Sequence, residues 1–124
     1  MTHEQTTQFD VSRILQLPAV GTTFAMIEVE IHDLAKFVEY VKGHLWTIGL
    51  YGGRIIAEMD APAAIVGSTR ASFALCMQWP DRAAFDAWWN SPEYERYKPL
   101  RDSAASVRVV VGSQRDPQVI IIGA

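Results

Sequence analysis

The chain has 124 residues, of which 49% are apolar and 20% charged, and its formal net charge is −3. This length is typical of one domain, and the apolar fraction is sufficient for a buried core. The eleven basic residues are scattered without a cluster, which argues against binding to nucleic acid or to an anionic membrane surface.

Residues that form disulfides or bind metals are sparse. The single cysteine, Cys76, lies in an apolar run and is expected to be a core residue. His3, His32 and His44 are not clustered in the sequence, so no metal site is predicted. Residues 1–20 lack the pattern of a signal peptide and no apolar run has membrane-spanning length, so we expect a cytoplasmic protein.

Hydrophobic periodicity predicts six elements in the order strand, helix, strand, strand, helix, strand. Apolar residues alternate in the predicted strands and recur at steps of three and four in the predicted helices. The second strand is expected to break around Pro62, because proline cannot donate to a strand ladder. The strands are predicted over residues 22–31, 54–66, 70–79 and 106–111. The two helices begin at Leu34 and Asp81, and the second restarts at Ser91.

This order of elements predicts an α+β, ferredoxin-like βαββαβ protomer, with helices on one face of an antiparallel sheet. The other face also carries apolar residues, so we expect a second copy of the chain to cover it and form a homodimer. The domain is predicted over residues 22–113. Residues 1–21 are predicted as an N-terminal arm, and residues 114–124 as an extra C-terminal strand at the dimer interface.

An ordered series of motifs in the sequence resembles a known family. The motifs are Tyr-Gly-Gly-Arg at 51–54, Trp-Pro at 79–80, Ala-Trp-Trp-Asn-Ser-Pro-Glu-Tyr at 87–94, Leu-Arg-Asp-Ser-Ala-Ala at 100–105 and Val-Val-Val-Gly at 109–112. Together they resemble the bacterial domain of unknown function family 1330, of the dimeric α+β barrel superfamily. The resemblance spans roughly residues 22–113 and implies that the sheets of two protomers pair into a barrel, without implying an established activity.

The sequence departs from that family pattern at three places. Leu45-Trp46 stand where members usually carry a proline, and Ser68-Thr69 follow the hairpin glycine where a tryptophan is usual. Gln78 replaces an acidic residue before the aromatic-proline pair. If that carboxylate takes part in chemistry in the family, this chain lacks it.

The first predicted helix carries the best candidates for acid–base chemistry. Tyr40 and His44 are four residues apart on one flank of the apolar stripe, where a pocket between helix and sheet would open. Histidine titrates near neutral pH and tyrosine can donate to a developing oxyanion, so these two are the predicted catalytic residues. The alternative is a partly buried histidine whose hydrogen bonds are satisfied within the fold.

Four further residues are predicted to bind a substrate. Arg54 follows two glycines at a strand start, and Arg101 shares a helical face with two tyrosines; each could hold an anion or, alternatively, tie neighbouring elements together. Tyr51 and Trp88 complete the set, although large aromatics at helical spacing also suit a core or a dimer interface. Glu58, on the polar side of the alternating second strand, could act as a base or be a solvated edge residue.

Two functions from different classes fit these candidates. The first is an enzyme without metal or organic cofactor that acts on a small carbonyl-bearing or anionic metabolite as an oxygenase, isomerase or lyase, by analogy with other dimeric α+β barrels. In that enzyme His44 would move a proton, Tyr40 would polarise the carbonyl, and Arg54 or Arg101 would hold the anion. The alternative is a non-catalytic small-molecule-binding or stress-related module, which Gln78 favours.

Overall fold

Four antiparallel strands form the sheet at the centre of the fold, in a computed structural model that describes residues 10–117. Their spatial order is β2-β3-β1-β4, which is the order of the ferredoxin-like fold. The predicted protomer fold is therefore confirmed. The strands are β1 (Thr23–Ile31), β2 (Arg54–Asp60), β3 (Phe73–Trp79) and β4 (Ala105–Ser113).

Four helices cover one face of the sheet: α1 (Leu34–Leu50), α2 (Arg82–Trp89), α3 (Pro92–Glu95) and α4 (Lys98–Ala104). The first three begin where a side chain accepts a backbone N–H group that the helix leaves unpaired. The capping residues are Asp33, Asp81 and Ser91.

Alternation along β1 gives the sheet two distinct faces. Thr23, Ala25 and Val29 are buried beneath the helices. On the opposite face, Met26 lies across from Val110 of β4, and their side chains are 52% and 49% exposed. In the single protomer this face is open, and it is the face that the sequence predicts a second copy to cover.

A β-bulge in β2 reverses the direction of the side chains that follow it. The pairing with β3 shifts between Ile55 and Ala57, which leaves Ile56 as the extra residue. Strict alternation predicts Glu58 on the face away from the helices. After the bulge, Glu58 and Asp60 lie opposite residues of β3 that face the helices, namely Leu75 and Phe73.

The segments outside the regular elements were predicted less well, and some of them fall outside the residues that the structure describes. Residues 64–66 do not continue the second strand, and Ile65 and Val66 are more than 90% exposed in the loop before β3. Ile14 and Leu17, in the predicted arm, are also exposed in the protomer. Residues 1–9 and the predicted C-terminal strand from residue 118 onward lie outside the described residues.

An aromatic cluster joins the helices to the sheet. Trp79 and Trp88 are each 1% exposed, with ring centroids 5.1 Å apart, and Trp88 stacks on Tyr94 at 4.1 Å. Thr47 of α1 accepts a hydrogen bond from Nε1 of Trp88 at 2.9 Å and donates its own hydroxyl proton to the His44 carbonyl at 2.6 Å. This chain of contacts fixes α1 against α2 and α3.

Candidate functional site

A cavity of about 640 Å³ lies between the sheet and the helices. This volume is in the range typical of small-molecule sites, and most of the lining side chains are apolar. The cavity opens between α1 and β2, since its exposed lining residues come from α1, from β2 and from the position just before β3. They are Leu45, Glu58, Met59, Asp60 and Ser72.

Three buried polar side chains form the inner end of this cavity. The hydroxyl oxygens of Tyr40 and Tyr94 are 2.7 Å apart. Arg101 donates from Nη1 to the Tyr94 hydroxyl oxygen at 3.1 Å, and from Nε to Asp102 at 3.0 Å. Tyr40, Tyr94 and Arg101 are 7%, 2% and 9% exposed, so water has little access to the network.

One of the two hydroxyl protons of Tyr40 and Tyr94 makes no hydrogen bond within the described residues. A guanidinium can only donate, so the Tyr94 oxygen must accept the bond from Arg101. One of the two hydroxyl protons lies between Tyr40 and Tyr94, and the other has no acceptor among residues 10–117. The pair therefore offers one O–H donor to a ligand in the cavity that both residues line.

His44 lies beside this pair with one ring nitrogen free. Its ring stacks on Tyr40 with 4.0 Å between centroids. Nδ1 is 2.7 Å from the Tyr40 carbonyl oxygen, which can only accept, so Nδ1 carries the proton. Nε2 is then unprotonated, and it has no partner in the described part of the chain.

Burial determines the protonation states at the inner end. It lowers the pKa of His44 below the ordinary 6.5, helped by the charge of Arg101 and opposed by the backbone hydrogen bond. Burial also raises the pKa of Tyr40, as does the neighbouring Tyr94. Burial by itself lowers the pKa of Arg101, but interactions with Tyr94 and Asp102 outweigh it and leave that pKa raised. The site thus holds a neutral imidazole, a protonated phenol and a guanidinium cation.

Four of the six residues predicted from the sequence line the cavity, namely Tyr40, His44, Trp88 and Arg101. The structure does not bring the other two to it. Tyr51 donates its hydroxyl proton to Glu93 at 2.7 Å, which ties the end of α1 to α3. Arg54 is exposed at the start of β2.

Two features are absent from the described residues. Within residues 10–117, no group of three or more His, Cys, Asp or Glu side chains is arranged to hold a metal ion. In the same range, no helix combines the length and apolar character needed to cross a membrane.

Comparison with known families identifies the chain's relatives. Residues 22–113 match the domain of unknown function DUF1330. The chain belongs to this family. The resemblance that the motifs indicated is thereby confirmed, and no curated protein matches the chain.

Several solved structures share the fold of this DUF1330 protein. RPA0582 of Rhodopseudomonas palustris, a protein of unknown function, is 16% identical with a TM-score of 0.68, over 94% of this chain and 96% of that chain. A dimeric ferredoxin-like protein of unknown function from Jannaschia sp. CCS1 is 15% identical with a TM-score of 0.57, over 74% and 98%. SnoaB, a cofactor-independent oxygenase from Streptomyces nogalater, is 14% identical with a TM-score of 0.55, over 79% and 96%. At these identities the likeness shows the fold alone.

Three titratable residues of the DUF1330 cavity are absent from the six residues predicted to form the site, although Glu58 was considered as a possible base. Tyr94 lies at the centre of the hydrogen-bond network, and its position seven residues before Arg101 on one helical face is the signal that could have found it. Its contact with Tyr40, 54 residues away, depends on how the helices pack. Glu58 and Asp60 reach the cavity through the bulge.

Proposed function

We propose that this DUF1330 protein is a cofactor-independent enzyme that removes a proton from a carbon atom next to a carbonyl group in a small, partly apolar metabolite. The observation that carries the proposal is the free Nε2 of a neutral His44 in the same cavity as the tyrosine pair and Arg101. Such a reaction needs a base, and a donor for the charge that develops on the carbonyl oxygen.

In the proposed reaction, Nε2 of His44 takes the proton from the substrate carbon. The electron pair of the broken C–H bond forms a carbon–carbon double bond, and the carbonyl π electrons move onto oxygen to give an enolate. The free O–H of the tyrosine pair donates to this oxygen, and Arg101 stabilises the charge through Tyr94. In a substrate with a further carbon–carbon double bond conjugated to the enolate, return of the proton from the imidazolium to the distant carbon of that system shifts the double bond, re-forms the carbonyl and completes an isomerisation.

The same first step also serves the other two reaction types. A lyase expels a leaving group from the carbon next to the carbanion, and an oxygenase passes the carbanion's electrons to dioxygen. SnoaB, which shares the fold, is a cofactor-independent oxygenase, so this support is by analogy. Arg101 is the better of the two candidate anion-binding arginines, because it is buried in the cavity and Arg54 is exposed.

The proposal is tested by proton exchange in D2O, which reports removal of the proton whatever product forms afterwards. A panel of small keto acids and aryl ketones is incubated with the full chain, and exchange of C–H for C–D is followed by NMR. Wild type is expected to accelerate exchange in at least one compound, and His44→Gln to abolish it. Because either tyrosine alone still carries one O–H that is free to donate, the double substitution Tyr40→Phe and Tyr94→Phe should slow it by about 100-fold, the cost of losing one oxyanion donor.

Far-UV circular dichroism and thermal melting of each variant serve as controls for folding. Equal exchange by wild type and His44→Gln would contradict the role of His44. Binding of panel compounds without any exchange would favour the alternative, a small-molecule-binding module without chemistry.

We also propose that two protomers pair through the open face of the sheet. Exposed apolar side chains such as Met26 and Val110 lie side by side there, and contiguous exposed apolar surface marks interaction sites. The similar protein from Jannaschia is dimeric. Light scattering should give the mass of a dimer for wild type and of a monomer for Met26→Asp. Leu34→Asp, at a more exposed apolar site on α1, should stay dimeric. A monomeric wild type at micromolar concentration would contradict the pairing.

A further inference from the structure

The cavity carries opposite charges at its two ends. At the inner end lies the cation Arg101, a residue that is 9% exposed. At the mouth, the bulge in β2 turns Glu58 and Asp60 to the side of the helices, where both line the cavity. Neither carboxylate has a hydrogen bond or ion pair through its side chain to any residue in the described range 10–117.

The strand order keeps the two ends apart. Glu58 and Asp60 belong to β2, and Arg101 belongs to α4, which leads directly into β4. β2 and β4 are the opposite edges of the sheet, three strand spacings or about 14 Å apart. The floor between them consists of apolar side chains from β1 and β3, such as Val29 and Leu75. The two carboxylates therefore do not pair with Arg101, and the two ends of the cavity can bind different groups of one ligand.

A second observation indicates that this cavity takes a polar ligand. His44 is 7% exposed and lines the same cavity, yet its Nε2 has no partner in the described chain. The only fully enclosed side-chain nitrogen or oxygen atom without a partner among residues 10–117 is Nε1 of Trp79, so Nε2 of His44 is open to the cavity and a ligand there can reach it. A group that fills the cavity would satisfy Nε2 as well as the free tyrosine proton.

Resting on the proposed function, we infer that the substrate is a molecule with two different polar ends. Its carbonyl or carboxylate oxygen lies at the inner end beside the tyrosine pair and Arg101, which donate hydrogen bonds. Its body is apolar. Its other end carries a hydroxyl or amino group, because ionised carboxylates such as Glu58 and Asp60 can only accept hydrogen bonds. These two residues therefore determine specificity without taking part in the chemistry.

Four naphthalene compounds measure separately how much each end of the cavity contributes to affinity. 2-Naphthoate carries an acceptor at one end, and 6-hydroxy-2-naphthoate and 6-amino-2-naphthoate add a donor at the far end. 2-Naphthol lacks the carboxylate. Affinities are measured by titration calorimetry on the full chain. We expect at least one of the two bipolar compounds to bind wild type at least fivefold more tightly than 2-naphthoate does, and the tighter of the two identifies the donor group. 2-Naphthol should bind most weakly.

Substitutions test whether Glu58 and Asp60, at the mouth of the cavity, cause the tighter binding of the bipolar compounds. The double substitution Glu58→Ala and Asp60→Ala, which removes both hydrogen-bond acceptors, should remove the advantage of the bipolar compounds and leave the affinity for 2-naphthoate within twofold. Glu39→Ala, which removes a carboxylate from an exposed position of α1 outside the cavity, should keep the full advantage. Arg101→Gln should weaken all three carboxylates.

The outcomes distinguish this inference from the function on which it rests. Binding of 2-naphthoate that is lost in Arg101→Gln, with no gain from the hydroxyl or amino group, would overturn the inference and leave the proposed function standing. A gain that survives the double substitution would also overturn it. If none of the three carboxylate compounds binds to wild type, or if Arg101→Gln binds them as tightly as wild type does, both this inference and the proposed function are overturned.

Discussion

Two glycines of α1 form a matched pair that tests how closely the helices of the site must pack. A Cβ atom at Gly43 would overlap with the ring of Tyr97, the residue that precedes α4. A Cβ atom at Gly49, in the last turn of the same helix, would have no neighbour within 4 Å. Gly43 thus allows α1, which carries Tyr40 and His44, to lie against the segment that leads into α4.

The two glycine positions predict stability changes of opposite sign. Alanine is better than glycine inside a helix by about 0.5–1 kcal/mol, so Gly49→Ala should raise the melting temperature by about 2–4 °C. Gly43→Ala gains the same propensity but must displace the Tyr97 ring, and overpacking of this kind costs about 1–3 kcal/mol. We expect a net loss of about 1–2 kcal/mol and a melting temperature lower by roughly 4–8 °C.

Thermal melting and urea denaturation of wild type, Gly43→Ala and Gly49→Ala measure these changes. The cause is tested by adding Tyr97→Ala to each background. Removal of the ring should be less harmful in the Gly43→Ala background than in wild type, because the overlap disappears with it. A Gly43→Ala variant that is as stable as Gly49→Ala would refute the close approach of the two segments.

Three further predictions concern the side chains around the site. Thr47→Val leaves the Nε1–H of Trp88 unpartnered in the core and should cost about 1–3 kcal/mol in urea denaturation, whereas Thr47→Ser should retain most of the stability; equal stabilities would contradict the bond. Ser91→Ala removes the cap of α3 and should cost about 1 kcal/mol by the same measurement, and an unchanged midpoint would argue against the cap. Because the pKa of His44 is lowered in the folded state, the unfolded chain binds more protons there, so this contribution to stability is complete above pH 6.5 and decreases as the pH falls toward the folded value. Wild type should therefore lose more stability than His44→Gln between pH 7.5 and 5.5, and parallel pH profiles would contradict the buried, neutral state.

The protomer fold was predictable because its signals are local. The alternation that ends at Ile31 and the helical stripe that begins at Leu34 each reflect one buried face. Such periodicity is the main signal of secondary structure in a sequence. Tyr40 and His44 were predictable as a pair for the same reason, since one turn of a helix brings them together. The order of the elements then leaves few possible topologies.

The carboxylates at the mouth of the cavity and the contact between the two tyrosines were not predictable, because they depend on contacts between distant segments. The side chain of Glu58 changes face through a bulge, and the bulge is a property of the pairing between β2 and β3. The contact between Tyr40 and Tyr94 depends on the packing of α1 against α3. The exposure of Arg54 likewise follows from its position on an edge strand, which the residue type does not reveal.

The central claim is that a neutral His44 presents an unprotonated Nε2 to a ligand in the cavity. Nitrogen NMR of the imidazole side chains measures it most directly, with the His44 signals assigned by their absence from His44→Gln. At pH 7 we predict a protonated Nδ1 and an unprotonated Nε2, and saturating 2-naphthoate should shift Nε2 of His44 while leaving the signals of the exposed His32 in place. A proton on Nε2 at pH 7, or a bound ligand that leaves the His44 signals unchanged, would contradict the proposed site.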